Sequence, residues 1–231
     1  MRDVVIIGAG PVGLACAIEA RRQGLQACVV DKGALVNSFV GYPTNMEFFS
    51  TPELMEIGDH PFTTVGYKPI REEAIEYYRR VAQAERLDVR LYERVLQVEG
   101  ERGAFEVVTA KGRHAARHVV VATGFFDVPN LLGVPGEDLP KVTHYFKEPF
   151  PYVGQRVLVV GAKNSAAKAA LACYRHGATV TLVVRGPAVS EGVKYWIRPD
   201  LENRIKEGSI AARFNTCVVE IRPGVVVVEP S

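Results

Sequence analysis

No CxxC pair occurs anywhere in this 231-residue chain. Its four cysteines, Cys16, Cys28, Cys173 and Cys217, stand far apart, and none has a histidine at metal-ligand spacing. That pattern excludes a local dithiol relay and a cysteine-based metal motif. Three of the four lie in apolar helix or strand patterns, where buried, inert thiols are the plain expectation. An excess of charge is lacking too: 28 Lys and Arg stand against 26 Asp and Glu, for a net charge of +2. Nothing in that balance calls for nucleic acid or an anionic membrane as a partner. No apolar run approaches the ~20 residues of a membrane span. The first apolar segment begins at residue 4, so no signal peptide is expected ahead of it, and cytoplasmic residence is the default. What remains, 48% hydrophobic and 23% charged, is the composition of one large or two modest globular domains.

The informative stretch is Val4–Gly33, VVIIGAGPVGLACAIEARRQGLQACVVDKG. Four β-formers run into Gly8-Ala-Gly10-Pro-Val-Gly13, a helical pattern follows to Gln23, Gly24 breaks it, and Ala27–Val30 ends at Asp31. The order strand, glycine turn, helix, strand, acid is the dinucleotide-binding fingerprint. Gly8 permits the turn, Gly10 lets backbone approach a pyrophosphate, and Gly13 lets helix and strand pack closely. The helix N-terminus presents free N–H groups and a positive dipole end to the diphosphate. Asp31, 18 residues past Gly13, is placed for ribose hydroxyls. The bland alternative is a glycine-rich turn in an ordinary βαβ unit.

Residues 32–68 are rich in Gly, Pro, Asn, Ser and Thr, which argues against continuous regular structure. Phe39, Tyr42, Phe48, Phe49 and Phe62 argue against disorder. An ordered loop laid over a ligand is expected, with a satellite aromatic core as the alternative. A helix follows over Ile70–Ala84, then strands at Val89–Leu91, Val95–Val98, Phe105–Thr109 and a buried strand at His118–Ala122, ending in Thr123-Gly124. The stretch Phe125–Gly136, dense in Pro and Gly, reads as a domain crossing.

At Val157 the opening element returns. Val157–Gly186 aligns onto Val4–Gly33 without a gap at an offset of 153, with Gly161, Gly177 and Gly186 matching Gly8, Gly24 and Gly33. Two such units suggest two nucleotides, one of which hands electrons to the other. Lys163 replaces Gly10, Ala166 replaces Gly13, and Asp31-Lys32 becomes Val184-Arg185. Loss of the carboxylate removes repulsion of a 2′-phosphate, and Arg185 offers a forked donor, a pattern that favours NADP over NAD. A solvated strand-end charge is the alternative for Arg185. Asn164 and Ser165 stand where a helix cap belongs, so capping alone explains either.

The paired fingerprints, the Ala122-Thr123-Gly124 strand end before a Pro-rich crossing, and the NADP-type second unit resemble the thioredoxin-reductase-like flavoproteins. More narrowly, NSFVGYPTNMEFFST, VVGAKNSAAKAAL and GVKYWIRPDLENRIKEGSI are similar to the bacillithiol-disulfide reductases of the YpdA type. The resemblance implies an α/β fold of two Rossmann-like units of the three-layer ββα type, the second inserted in the first. It implies an FAD-binding domain over 1–126, a crossover over 127–152 and an NADPH-binding domain over 153–231. The FAD unit is then expected to lack its returning C-terminal segment. FAD is expected on Gly8, Gly10, Pro11, Gly13, Asp31, Lys32, Asn37, Val95, Thr123 and Gly124, and NADPH on Gly161, Lys163, Asn164, Ser165 and Arg185.

The resemblance further implies an NADPH-dependent flavoenzyme that reduces a low-molecular-weight disulfide, with no nucleic-acid or membrane partner. A homodimer or higher homo-oligomer stays open. The absent CxxC departs from thioredoxin reductases proper. Relatives of the YpdA type often carry a cysteine where this chain has Val12; Cys16, one helical turn on, is the weak candidate to replace it, against an ordinary core cysteine. His144 is expected to be structural and Trp196 a packing anchor. A ferredoxin or flavodoxin reductase, a diaphorase, and a nucleotide-binding module without turnover are the alternatives.

Overall fold

Val4, Val5 and Ile6 have almost no exposed surface, because the strand they form, β1 (Arg2–Ile7), lies inside its sheet and is packed on both faces. The computed structural model describes residues 1–231, which fall into two units, Met1–Val128 and Pro129–Ser231. The Pro-rich stretch expected to be a crossing contains the boundary between them, and residues 129–152 belong to the second unit.

In the first unit β1 is followed by α1 (Pro11–Arg22), β2 (Ala27–Val30), a short α2 (Asn37–Gly41), α3 (Arg71–Ala84), β3 (Val89–Arg90), β4 (Val95–Glu101), β5 (Ala104–Thr109) and β6 (Arg113–Val121). These strands make one sheet in the order β3-β2-β1-β6-β5-β4. β3, β2, β1 and β6 run parallel, whereas β4, β5 and β6 form an antiparallel meander. α1 buries Leu14, Ala17 and Ile18 at the spacing its apolar stripe dictates. Glu73, in the first turn of α3, accepts the N–H of Ile70, one of the donors a helix start leaves without a partner.

The loop over residues 32–68 is less irregular than its composition suggested, since α2 and a 3₁₀ turn at Pro52–Met55 interrupt it. Its aromatic residues serve two roles, and some serve both. Phe39 and Phe62 are buried with Tyr77 and Tyr78 of α3, and Phe39 and Tyr42 also border a cavity described below. β6 is a correction to the buried strand expected at His118–Ala122. It begins earlier, at Arg113, and Val121 is 70% exposed. Val121 is the last residue of the strand and borders the open cavity described below, and β5 pairs only along Arg113–Ala116.

The second unit contains β7 (Arg156–Val160), α4 (Asn164–Arg175), β8 (Thr179–Val183), α5 (Arg198–Lys206), β9 (Ala211–Arg213), and a hairpin of β10 (Thr216–Ile221) with β11 (Val226–Pro230). β7, β8 and β9 form a parallel sheet whose core includes Ala167, Leu182, Leu201 and Ile210. Both units are Rossmann-like. No helix in the chain is long and apolar enough to cross a membrane.

Candidate functional site: two glycine turns built on one plan

The first unit encloses a cavity of about 750 Å³ at the carboxyl ends of its parallel strands. This is where open α/β sheets bind ligands. Gly8, Gly10 and Pro11 border it from the turn after β1. Asp31, Lys32, Val95, Thr123 and Gly124 border it from the ends of other strands, and Asn37 from α2.

Gly8 has φ +115°, and a Cβ there would lie 2.3 Å from the carbonyl oxygen of Ala122 at the end of β6. A Cβ on Gly13 would lie 1.9 Å from the Gly8 carbonyl oxygen. Both positions therefore exclude side chains because the protein itself occupies the space. Gly10 differs: a Cβ there meets nothing within 4 Å. Gly10 borders the cavity at φ −78°, so neither packing nor backbone conformation calls for glycine there.

Asp31 does more than face the cavity. Its Oδ2 accepts the Ala9 N–H at 2.7 Å and its Oδ1 accepts the Gly33 N–H at 2.8 Å. The carboxylate thus holds the glycine turn and the bend after β2 together. Each oxygen keeps acceptor capacity for a hydroxyl. The Ala9 carbonyl in turn accepts the N–H of Val36 at 3.0 Å, so both backbone polar groups of Ala9 are held. Val36 is a buried β-branched residue at φ +46°, a left-handed conformation unusual for its type.

Several lining residues were not singled out from the sequence. Phe125 and Phe126 follow Gly124 directly, and their adjacency to that strand end was the available signal. Phe126 packs edge-on against Tyr42 with ring centroids 4.7 Å apart. Asp127 pairs with Lys32 at 3.0 Å across the cavity wall, which no sequence spacing reveals. Burial, with the Asp127 charge, pushes the Tyr42 phenol above its ordinary value. Val12 and Phe125 are 67% and 93% exposed, giving the cavity an apolar rim. Cys16 does not line the cavity; it packs against the core around Val4 and Ala17.

The second unit repeats the first at the level of single hydrogen bonds. Val4 pairs with Ala27 in the first sheet and Val157 with Val180 in the second, the same register at the same offset. Gly8 N–H donates to Val30, and Gly161 N–H, at φ +125°, donates to Val183. Leu14 N–H reaches the Gly10 carbonyl, and Ala167 N–H reaches that of Lys163. Lys163, exposed, is the residue before α4 in extended backbone, as Gly10 is before α1. Asn164 is therefore the first helical residue rather than the cap. Its side chain accepts the Lys194 N–H and donates to the Gly192 carbonyl, each at 3.0 Å. Ser165 follows it, exposed, at the start of α4. Arg185 is exposed just beyond the end of β8, while Val184 is buried.

A model of the pyridine nucleotide-disulphide oxidoreductases matches residues 5–229, nearly the whole chain and both turns. The chain belongs to this family. It is 43% identical over 224 residues to the bacilliredoxin reductase Bdr of Bacillus subtilis (strain 168), covering 96% of this chain and 69% of that protein. Among solved structures, the bacillithiol disulfide reductase Bdr (YpdA) from Staphylococcus aureus superimposes with a TM-score of 0.95 at 40% identity. That match covers 99% of this chain and 71% of the other. A ferredoxin–NADP reductase of Ignicoccus hospitalis is 28% identical over 189 residues, or 80% of this chain and 57% of that protein. Against this pyridine nucleotide-disulphide oxidoreductase background, the four free cysteines stand apart from the cavity lining.

Two sequence expectations are settled by the geometry. His144 contacts Glu137 at 2.9 Å. Glu137 also accepts the Leu132 and Gly133 N–H groups; the His144 hydrogen bond first, then these, hold its carboxyl down to about 2. Its role is to brace a turn. Trp196 is not the buried anchor expected: it is 44% exposed and lies edge-on to Tyr195. The loop that carries it places Ile197 and Val193 inside instead.

Proposed function

We propose that this chain is an NADPH-dependent FAD oxidoreductase whose electrons reduce a low-molecular-weight disulfide of the bacillithiol type. The observation that carries the reading is the duplicated turn with divergent strand ends. One copy keeps a carboxylate, Asp31, and the other replaces it with buried Val184 beside exposed Arg185. FAD fits the first copy. Its diphosphate would meet the open face of Gly10 and the α1 N-terminus, its ribose the remaining acceptor capacity of Asp31, and its ring system the apolar rim formed with Phe125 and Val12. NADPH fits the second, where Arg185 and Lys163 supply counter-charge for phosphates. The flavin, when bound, supplies the two-electron chemistry. The protein's residues bind, orient and keep water out. In balance, NADPH, one proton and the disulfide give NADP⁺ and two thiols.

The names of the Bacillus and Staphylococcus relatives support the disulfide as acceptor. A ferredoxin reductase is the second reading, favoured by one observation: no cysteine of this chain lines the cavity. Purified protein should absorb near the flavin band, bleach anaerobically with NADPH, and recover colour on addition of bacillithiol disulfide. Recovery with ferredoxin alone would select the second reading. Protein that takes up no FAD on reconstitution would leave a nucleotide-binding module without turnover. Cytoplasmic residence and a homodimeric state belong to the same proposal; fractionation and sedimentation velocity test them.

A further inference from the structure

The two turns are copies, yet different side chains hold them. In the first, the carboxylate of Asp31 ties the Ala9 N–H to the bend after β2, and the Val36 N–H closes on the Ala9 carbonyl. In the second, Ala162 occupies the place of Ala9, and its carbonyl accepts the Ser190 N–H at 3.1 Å. A loop after the second strand therefore folds back on the turn in both units. The Val184 side chain has no oxygen to play the part of Asp31. What the second unit has instead is Asn164, at the position of Pro11.

Proline at the first helical position makes no side-chain hydrogen bond. Asn164 makes two, both to the returning loop: its Oδ1 accepts from Lys194 N–H and its Nδ2 donates to the Gly192 carbonyl. With the Ser190 bond, three hydrogen bonds fasten Ser190–Lys194 over the junction of glycine turn and helix. Two buried residues, Val189 and Val193, root the loop in the core. Lys194, Tyr195 and Trp196 are left exposed beside the clamp.

We propose that Asn164 is a positioning residue for the second nucleotide site. It holds the segment Ser190–Trp196 as a wall of the phosphate-binding turn and does this in place of the lost carboxylate. The exchange has a chemical logic. An acid at the strand end would repel a 2′-phosphate, so a neutral amide on the helix takes over the clamping and leaves the strand end to Arg185. This inference rests on the reading of the second turn as an NADPH site.

Trp196 is the chain's only tryptophan, so its emission reports on the loop directly. In the full-length chain, titration with NADP⁺ should change Trp196 emission. Asn164→Ala should weaken NADP⁺ about tenfold, the effect of losing two ordinary hydrogen bonds, and leave FAD uptake by the first unit unchanged. Unchanged NADP⁺ affinity in a folded Asn164→Ala protein overturns the proposal, whether or not the emission shifts. A measurement on the unaltered protein guards against a variant that fails to fold. Bound NADP⁺ should slow amide exchange in Ser190–Trp196 together with Gly161–Ala167. Slowing in Gly161–Ala167 alone would overturn the role of the loop while the nucleotide reading stands. No response in either segment would remove the nucleotide reading itself.

Discussion

Gly13 and Ala166 are the same residue of the plan, one step apart in size. Around Gly13 the turn is so tight that a methyl group would sit 1.9 Å from the Gly8 carbonyl oxygen. At the matching place the second turn accommodates the Cβ of Ala166, which lies 3.3 Å from a Cβ built on Gly161. Gly13→Ala should therefore force the first turn apart and cut FAD retention by more than tenfold, measured as flavin per protein after gel filtration. The reverse exchange, Ala166→Gly, should cost only roughly 0.5–1 kcal/mol of stability, the backbone-freedom penalty. Equal tolerance at both sites would refute the tight-turn account. Gly8, Gly10 and Asp31 were legible from spacing alone. That the Asp31 oxygens also hold Ala9 and Gly33 was not, because the backbone atoms they bind are brought there by the turn.

At the scale of elements, β1 and β7 carry the same apolar pattern with different surroundings. Val5 and Ile6 are fully buried, whereas Leu158 and Val159 at the equivalent places are only half-buried. β1 pairs with β2 and β6; β7 pairs with β8 alone. The N–H groups of β7 that point away from β8 should exchange with solvent much faster than their counterparts in β1, as native-state hydrogen exchange by mass spectrometry would read. Equal protection would mean that a neighbour strand is bound there. The meander offers a second test. Glu93, buried, accepts from Thr109 and contacts His114, each at 2.7 Å, and its own N–H donates to the Asp31 carbonyl. The His114 hydrogen bond, then that of Thr109, holds its carboxyl below the ordinary range. A depressed carboxylate stabilises the fold fully above its unfolded value of about 4.3 and loses that contribution as pH falls through the folded one. Glu93→Gln should flatten the loss of stability below about pH 4 in urea titrations. An unchanged acid limb would show that the pair contributes nothing.

For the whole molecule, the proposed function assigns a different nucleotide to each copy of the turn, and Arg185 is where that assignment can be tested. Arg185→Ala should weaken NADPH roughly tenfold or more, the worth of a charge-assisted hydrogen bond, and leave NADH binding nearly unchanged. Equal loss for both would refute its assignment to a 2′-phosphate.

The sequence by itself determined the two βαβ turns, their equivalence residue by residue, and the change from acid to Val-Arg that separates them. Those features are local: glycine spacing, strand propensity and helix breaks act over a few residues, so a linear pattern carries them. The tertiary structure alone decided which groups serve the turns. The Lys32–Asp127 pair, the Tyr42–Phe126 contact and the Asn164 clamp join residues far apart in the chain. The exposure of Val121 and Trp196 likewise follows from which strands and loops lie beside them. Hydrogen bonds and burial depend on neighbours in space, and the fold supplies those neighbours.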